Sequence, residues 1–154
     1  MTIALEKSAH RIVVGIDGSL SSVAALNWAL QQAELTGSTL EAIITWERPT
    51  AAGLGIATPS GFDPEADARR VLDEAIASAE PGHDDVSIES KIVGGPAGMA
   101  LVDASRGADL LVVGSRGHGE LVSFLLGSVS AHCITHAHSP VLVVRDGGEP
   151  SDGS

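Results

Sequence analysis

The segment DLLVVGSRGHGELVSFLLGS, residues 109–128, joins an apolar run to a glycine-rich loop and then to the start of a predicted helix. Its glycines fit the pattern G-x-x-G-x₉-G-S, which begins at Gly114 and ends at Ser128. A strand that leads through such a loop into a helix gathers free backbone N–H groups where an anion can bind. On spacing alone, however, the same glycines could equally shape a tight turn and a helix start.

Apolar runs typical of β-strands alternate with helical patterns along most of the chain. The predicted strands are Arg11–Ile16, Thr39–Trp46, Val86–Val93, Asp109–Val113 and Pro140–Val144. The predicted helices begin near Ser19, Pro64, Pro96 and Gly127 and end near Gly37, Ala79, Ser105 and His138. Nearly continuous Val, Ile and Leu in the first, fourth and fifth runs indicates parallel strands that are buried on both faces. The sequence therefore predicts an α/β fold with a single doubly wound, open parallel five-stranded sheet and helices on both faces, Rossmann-like.

Composition and charge narrow the classes of function. The chain has 154 residues, 44% of them hydrophobic, which suits one domain; we place it at residues 9–146, before a disordered tail at 147–154. A net charge of −11 opposes binding to nucleic acid, because that needs clustered Lys and Arg. The single cysteine and the lack of any apolar run of signal-peptide or transmembrane length predict a cytoplasmic protein with no membrane partner. Residues 47–63 have no periodicity and are predicted to form a lid or a disordered loop.

A candidate site follows from the ends of the first and fourth predicted strands. In an open α/β sheet, ligands bind beyond the carboxyl ends of the strands, where the strand order reverses. If these two strands are neighbours, Gly15 and Asp17 face the loop at 114–119 across a crevice. Asp17 could then accept hydrogen bonds from ribose hydroxyls or hold Mg²⁺, or it could merely cap the helix that follows. Backbone N–H groups of the loop and of residues 127–129 could bind phosphates.

Cationic side chains in the loop are limited to Arg116 and His118, and each could contact a phosphate or simply face solvent. The loop has no Gly-Lys-Ser/Thr motif, so it is not a Walker loop. No Ser-His-Asp or paired-carboxylate arrangement follows from the spacing, and the sequence therefore gives no candidate catalytic residue.

The predicted fourth helix carries two further patterns. His132 and His136 have the i,i+4 spacing of a metal site, with His138 nearby, but no third ligand is evident on that face, which favours surface histidines. Cys133 shares a helical face with Val129 and Ala137. That pattern favours a core position over a reactive thiol.

Four motifs, taken in order, resemble the ATP-binding branch of the universal stress protein family. They are GIDGS at 15–19, GSRGHG at 114–119, LLGSVS at 125–130 and HSPVLVVR at 138–145. The resemblance covers about residues 9–146 and implies the strand order 3-2-1-4-5, ATP as the ligand, and a homodimer paired through the edge strand Val141–Val144. It also implies that Gly114, Gly117, Gly127 and Ser128 hold the phosphates and ribose, that Asp17 is the acidic residue after the first strand, and that adenine is contacted through backbone near Thr45.

The predicted function is that of an ATP-binding regulator or sensor in a stress response, with Mg²⁺, AMP and cyclic nucleotides left open. The candidate nucleotide-binding residues are Gly15, Asp17, Thr45, Gly114, Ser115, Arg116, Gly117, His118, Gly119, Gly127, Ser128 and Val129. One alternative is a slow nucleotide hydrolase or nucleotidyl-transfer enzyme on the same scaffold, which would depend on Asp17 with Mg²⁺. Another is a dimeric interaction module that binds no ligand.

Overall fold

The computed structural model describes residues 10–48, 61–79, 81–116 and 126–146, which form one five-stranded sheet flanked by helices. The elements, in chain order, are β1 (Arg11–Gly15), α1 (Leu20–Thr36), β2 (Thr39–Trp46), α2 (Pro64–Ala77), β3 (Ile88–Gly94), α3 (Ala97–Ala104), β4 (Leu110–Gly114), α4 (Ser128–His136) and β5 (Val141–Val144). The predicted loop at 47–63 falls mostly outside the described residues, and the predicted tail at 147–154 falls wholly outside them. The predictions for that loop, for the tail and for the domain limits stay predictions.

Element ends differ from the predicted ones by at most two residues. β3 begins at Ile88 rather than at Val86, because the Val86 N–H closes a turn by donating to His83 O at 3.1 Å. α4 ends at His136 rather than at His138, because Ala137 already has extended backbone (φ −61°, ψ 151°). The ends of α1 were predicted correctly: Ser19 accepts the Ser22 N–H with its side chain, and Gly37 closes the helix in the left-handed region.

The five strands run in the order β3-β2-β1-β4-β5, and every neighbouring pair is parallel. This confirms the doubly wound fold and the strand order. The chain winds outward from β1 in one direction and from β4 in the other, so the strand order reverses between these two strands. Their carboxyl ends diverge into loops at this point, which opens a crevice above the sheet.

Helices cover both faces of the sheet and bury two apolar layers. α1 and α2 pack against a layer that includes Ile12, Val14, Leu40, Ile44 and Val112. On the other face, α3 and α4 pack against each other and against Val13, Ile43, Leu111 and Val113. Alternate residues of each strand supply the two layers, since successive side chains of a strand point to opposite faces. No helix among the described residues is both long and apolar enough to cross a membrane.

Charged side chains close the amino-terminal half of the sheet. Glu41 is the third residue of β2, with a side chain only 3% exposed; it accepts a hydrogen bond from Arg11 Nη1 at 2.9 Å and forms an ion pair with Lys91 Nζ at 3.1 Å. Arg11 also donates from Nη2 to Arg106 O at 2.7 Å, which ties β1 to the segment after α3. A buried carboxylate needs such partners, because an unpaired charge in the interior is costly. The sequence analysis did not identify this cluster.

Candidate functional site

A cleft lies above the point where the strand order reverses, which is where ligands bind in open α/β sheets. Its described lining comes from the ends of β1, β2 and β4 and from the starts of α1, α3 and α4. The lining residues are Gly15, Ile16, Asp17, Ser22, Ile43, Thr45, Ala97, Leu101, Val113, Gly114, Arg116, Gly127, Ser128, Val129 and Ser130.

The cleft brings together eight of the twelve candidate residues from the sequence: Gly15, Asp17, Thr45, Gly114, Arg116, Gly127, Ser128 and Val129. Ser115 is buried behind the lining, where its N–H donates to Val144 O at 2.8 Å. Gly117, His118 and Gly119 lie outside the described residues.

Asp17 is exposed and organises the turn that leads into α1. Its Oδ1 accepts the Ser19 N–H at 2.8 Å, and its own N–H donates to Ser22 Oγ at 3.3 Å. Ser19, and not Asp17, is the N-cap of the helix. A carboxylate has lone pairs for more than one donor, so Asp17 can still accept hydrogen bonds from a ligand while it holds this turn.

Gly114 and Gly15 are glycines because of packing within the fold. A Cβ at Gly114 would lie 2.5 Å from Ser21 Oγ and 2.8 Å from the Ser21 carbonyl carbon, so β4 can approach the start of α1 only without a side chain there. A Cβ at Gly15 would lie 2.8 Å from Leu101 Cδ1. Gly114 is therefore needed by the fold itself, whereas at Gly15 a Cβ would require a shift at the end of the Leu101 side chain.

The start of α4 is held against the end of β4. The Gly127 N–H donates to Ser115 O at 2.8 Å, and Ser130 Oγ donates to Gly127 O at 2.9 Å. Gly127 is the N-cap, no side chain among the described residues caps the N–H groups of this helix start, and the first turn has no acidic residue. The first N–H groups of a helix have no partner within it and carry partial positive charge. Ser128 and Val129 bring this end of the helix to the wall of the cleft.

Arg116 is anchored through both its backbone and its side chain. Its carbonyl accepts Ser21 Oγ at 2.6 Å, and its guanidinium Nη2 lies 2.7 Å from Asp146 Oδ2. The sequence analysis missed Asp146. The strand order could have identified it: Arg116 and Asp146 each stand two residues past the end of neighbouring parallel strands, β4 and β5.

Apolar side chains that the sequence analysis did not name form a large part of the cleft wall. They are Ile16, Ile43, Ala97, Leu101 and Val113. Ile43 and Thr45 lie on the same face of β2, because side chains two residues apart point the same way. Applying that alternation to the end of each predicted strand could have identified Ile43, but not Leu101, which comes from α3 on the neighbouring crossover.

The histidine pair and Cys133, the two patterns predicted on α4, both lie among the described residues. The rings of His132 and His136 stack with their centroids 4.4 Å apart, and His136 Nδ1 is 3.0 Å from His132 O. No group of three or more His, Cys, Asp or Glu that could hold a metal occurs among the described residues. Cys133 is fully buried, and burial raises the pKa of its thiol to about 11. The core position predicted for Cys133 is confirmed.

Known sequences and structures similar to this chain agree on one family. A profile of the universal stress protein family matches residues 8–145. A universal stress protein of Mycobacterium tuberculosis is 37% identical over 141 residues, which cover 91% of this chain and 50% of the relative. A second one from the same species is 34% identical over 140 residues, covering 88% and 47%. The chain thus spans about half the length of the curated relatives it matches.

Solved structures give the same result. A universal stress protein in complex with cAMP is 30% identical, with a TM-score of 0.61, and the match covers 90% of this chain and 99% of that one. A universal stress family protein from Burkholderia pseudomallei is 27% identical, with a TM-score of 0.61 and coverage of 89% and 96%.

Proposed function

The chain belongs to the universal stress protein family, and from that premise we propose that it binds an adenine nucleotide in the cleft between β1 and β4 and acts as a nucleotide-dependent regulator in a stress response. The start of α4 carries this proposal. At the wall of a largely apolar cleft, it presents a helix N-terminus that no described side chain caps and that has no acidic side chain in its first turn. That pairing suits a ligand with one anionic end and one flat apolar end.

Each part of the cleft fits one part of a nucleotide. Backbone N–H groups at Ser128 and Val129 would bind a phosphate group. Asp17 would accept hydrogen bonds from ribose hydroxyls or hold Mg²⁺ beside the phosphates. The base would lie against Ile43 and Leu101, with Thr45 at its edge. The contribution of Gly117, His118 and Gly119 stays a prediction from the sequence.

Binding, and not turnover, is the activity that these residues support. Asp17 is the only carboxylate among the described lining residues, and its Oδ1 already accepts the Ser19 N–H. No His or Lys stands beside it in that lining to act as a general base. The slow hydrolase that the sequence left open therefore has no observation in its favour.

Two observations, one from a similar structure and one from the sequence, support an adenine nucleotide as the ligand. The similarity to a universal stress protein in complex with cAMP supports a nucleotide ligand. The G-x-x-G-x₉-G-S pattern is the reason to expect ATP. We propose the class, adenine nucleotides, and leave ATP and cAMP as ligands that the titration must separate; a cytoplasmic location stays a prediction from the sequence.

The test combines identification of bound nucleotide with a change that removes one backbone donor. Protein is denatured and the released small molecules are identified by mass spectrometry, and native protein is titrated calorimetrically with ATP, AMP and cAMP. Ser128→Pro deletes the first N–H of α4. The helix should tolerate proline there, because this is its first residue and Gly127 before it is already extended (φ −61°, ψ 156°).

We expect Ser128→Pro to weaken nucleotide binding by about tenfold or more, since a hydrogen bond to a charged group is lost. Ser128→Ala, which removes the hydroxyl and keeps the N–H, is the matched control and should lose much less. If the wild-type protein binds none of the three nucleotides, or if Ser128→Pro binds as tightly as the wild type, this site assignment is wrong.

We also propose that two copies pair through β5. This strand lies at the edge of the sheet, reads Val-Leu-Val-Val, and is only partly buried along its whole length. Leu111 and Ser115 donate their N–H groups to Pro140 O and Val144 O, so by alternation the N–H of Val143 points to the free edge. An unprotected apolar edge of this kind invites pairing with another strand.

Val143→Pro tests the pairing directly. It removes an outward-pointing N–H without touching the bonds between β4 and β5. We expect sedimentation equilibrium to show a dimer for the wild type and for Val143→Ala, and a monomer for Val143→Pro. A wild-type protein that sediments as a monomer at all concentrations would contradict the proposal.

A further inference from the structure

Arg116, which lines the cleft, forms an ion pair with Asp146. Arg116 Nη2 and Asp146 Oδ2 are 2.7 Å apart, and each side chain is 29% exposed, so the pair is partly shielded from solvent. The backbone positions both residues: Gly114 pairs with Val144 in the β4–β5 ladder, and the Ser115 N–H donates to Val144 O at 2.8 Å. Arg116 and Asp146 thus occupy equivalent positions, each two residues after the end of one of two neighbouring strands.

Arg116 has little freedom to move away from this position. Its carbonyl accepts Ser21 Oγ at 2.6 Å, and its N–H lies 3.4 Å from the same oxygen. This links Arg116 to the first turn of α1, on the opposite side from Asp146. Arg116 therefore lines the cleft with its backbone held in place and its charge already shared with a carboxylate.

The charge of the cleft follows from this pairing. Arg116 and Asp17 are the charged side chains among the described lining residues. Because Asp146 cancels Arg116, the remaining charge of the described site is the single negative charge of Asp17. The sequence from 117 to 125 contains no Lys or Arg and one histidine, His118, and the whole chain has a net charge of −11. No cationic side chain is therefore free in the described site to balance several phosphate charges.

We propose that Asp146, by holding Arg116, is a specificity-determining residue that favours nucleotides of low charge, such as a cyclic phosphodiester, over triphosphates. This inference rests on the proposed nucleotide site. Backbone N–H groups at the start of α4 can stabilise one anionic group. Each further phosphate brings its charge closer to Asp146 and Asp17, and like charges in a partly desolvated site repel strongly. Specificity then arises from repulsion of the wrong ligand as much as from attraction of the right one.

The test measures how affinity depends on ligand charge. Wild-type protein and the variants Asp146→Asn and Asp103→Asn are titrated calorimetrically with cAMP, AMP and ATP at low ionic strength, with and without Mg²⁺. Asp103 is an exposed acid near the far end of α3, so Asp103→Asn changes the net charge equally without touching the pair. Circular dichroism checks that both variants are folded.

We expect the wild type to bind cAMP more tightly than AMP, and AMP more tightly than ATP without Mg²⁺. Asp146→Asn frees Arg116 and should raise the affinity for ATP about tenfold while changing that for cAMP less than about threefold. Asp103→Asn should leave the ratio of the two affinities as in the wild type. ATP binding that appears only in Asp146→Asn would support the inference in its strongest form.

Other outcomes overturn the inference and separate it from the proposed function. If the wild type binds ATP more tightly than cAMP, or if Asp146→Asn changes the affinity ratio no more than Asp103→Asn does, Asp146 does not set ligand charge, while the nucleotide site stands. If neither the wild type nor Asp146→Asn binds any of the three nucleotides, the nucleotide site and the role of Asp146 fail together.

Discussion

The two ends of the sheet handle polar groups in opposite ways. At the amino-terminal end, side chains pair with one another: Glu41 is enclosed by Arg11 and Lys91, and Arg11 also holds a backbone carbonyl of Arg106. At the carboxyl end, Arg116 pairs with Asp146, but Asp17 is exposed and the start of α4 lies at the wall of the cleft. At the amino-terminal end the charged side chains bind one another, whereas at the carboxyl end the start of α4 keeps backbone N–H donors that a ligand can use.

This difference follows from the handedness of the fold. In a right-handed β-α-β unit, the chain leaves each strand at its carboxyl end and enters a helix at its N-terminus. Helix N-termini therefore collect at one end of the sheet, with their positive ends and free N–H groups. The opposite end receives helix C-termini and carries no such donors, so it can be sealed with ion pairs. The comparison makes three predictions about stability.

The largest effect is expected at the carboxyl end, at Gly114. Gly114→Ala should lower the free energy of unfolding by about 3 kcal/mol, because its Cβ would press on the backbone of Ser21 and Ser22, which cannot rotate away. Gly37→Ala, at the other end of α1, is the control. Nothing lies within 4 Å of a Cβ there, and only the left-handed backbone (φ 69°) resists it, at about 1 kcal/mol. Urea denaturation measures both; equal losses would show that the close approach at Gly114 relaxes.

The next effect is expected at the amino-terminal end. Arg11→Met should lower the free energy of unfolding by about 2 kcal/mol, since it leaves Glu41 buried with Lys91 as its remaining partner. Lys91→Met removes a partner whose side chain is 52% exposed and should cost less than about 1 kcal/mol. Both are read from urea titrations at neutral pH. A larger loss for Lys91→Met than for Arg11→Met would mean that the ranking of these two partners by exposure is wrong.

The third prediction concerns the apolar layer between the two ends, where Cys133 lies. Burial raises the pKa of its thiol from 9.0 to about 11, so the folded protein keeps a proton that the unfolded chain releases. The stabilisation is complete below pH 9 and is lost as the pH rises through about 11. Stability should therefore fall more steeply over this interval in the wild type than in Cys133→Ala. Parallel curves would contradict the buried, protonated thiol.

The reactivity of Cys133 tests directly whether its thiol is buried and protonated. At pH 8 an aromatic disulfide reagent should label Cys133 only after denaturant is added, because the thiolate is the reactive form and the side chain is fully buried. Rapid labelling of the native protein would show that the layer between α4 and the sheet opens easily.

Most of the secondary structure followed from the sequence because hydrophobic periodicity and helix caps are local. The runs at β1 and β4, the capping serines of α1 and the closing Gly37 each depend on residues within a turn of one another. The ends that were missed depend on contacts or backbone shape: the turn of Val86 onto His83, and the extended backbone of Ala137.

The candidate site was predicted less completely, because some of its residues are brought together from segments that lie far apart in the sequence. Gly15, Asp17, Gly114 and Ser128 lie in recognisable motifs. Leu101 and Asp146 do not, because each acquires its place only through a neighbour from another element: β1 for Leu101 and Arg116 for Asp146.

By itself, the sequence determined the α/β class and the family resemblance, since apolar periodicity and motif spacing can be recognised without any knowledge of contacts. Only the tertiary structure decided what those glycines and charges do. It showed that Gly114 is required by the approach of β4 to α1, and that Arg116 is paired with Asp146. Packing distances and charge pairing arise between segments far apart in the chain, and a local pattern does not contain them.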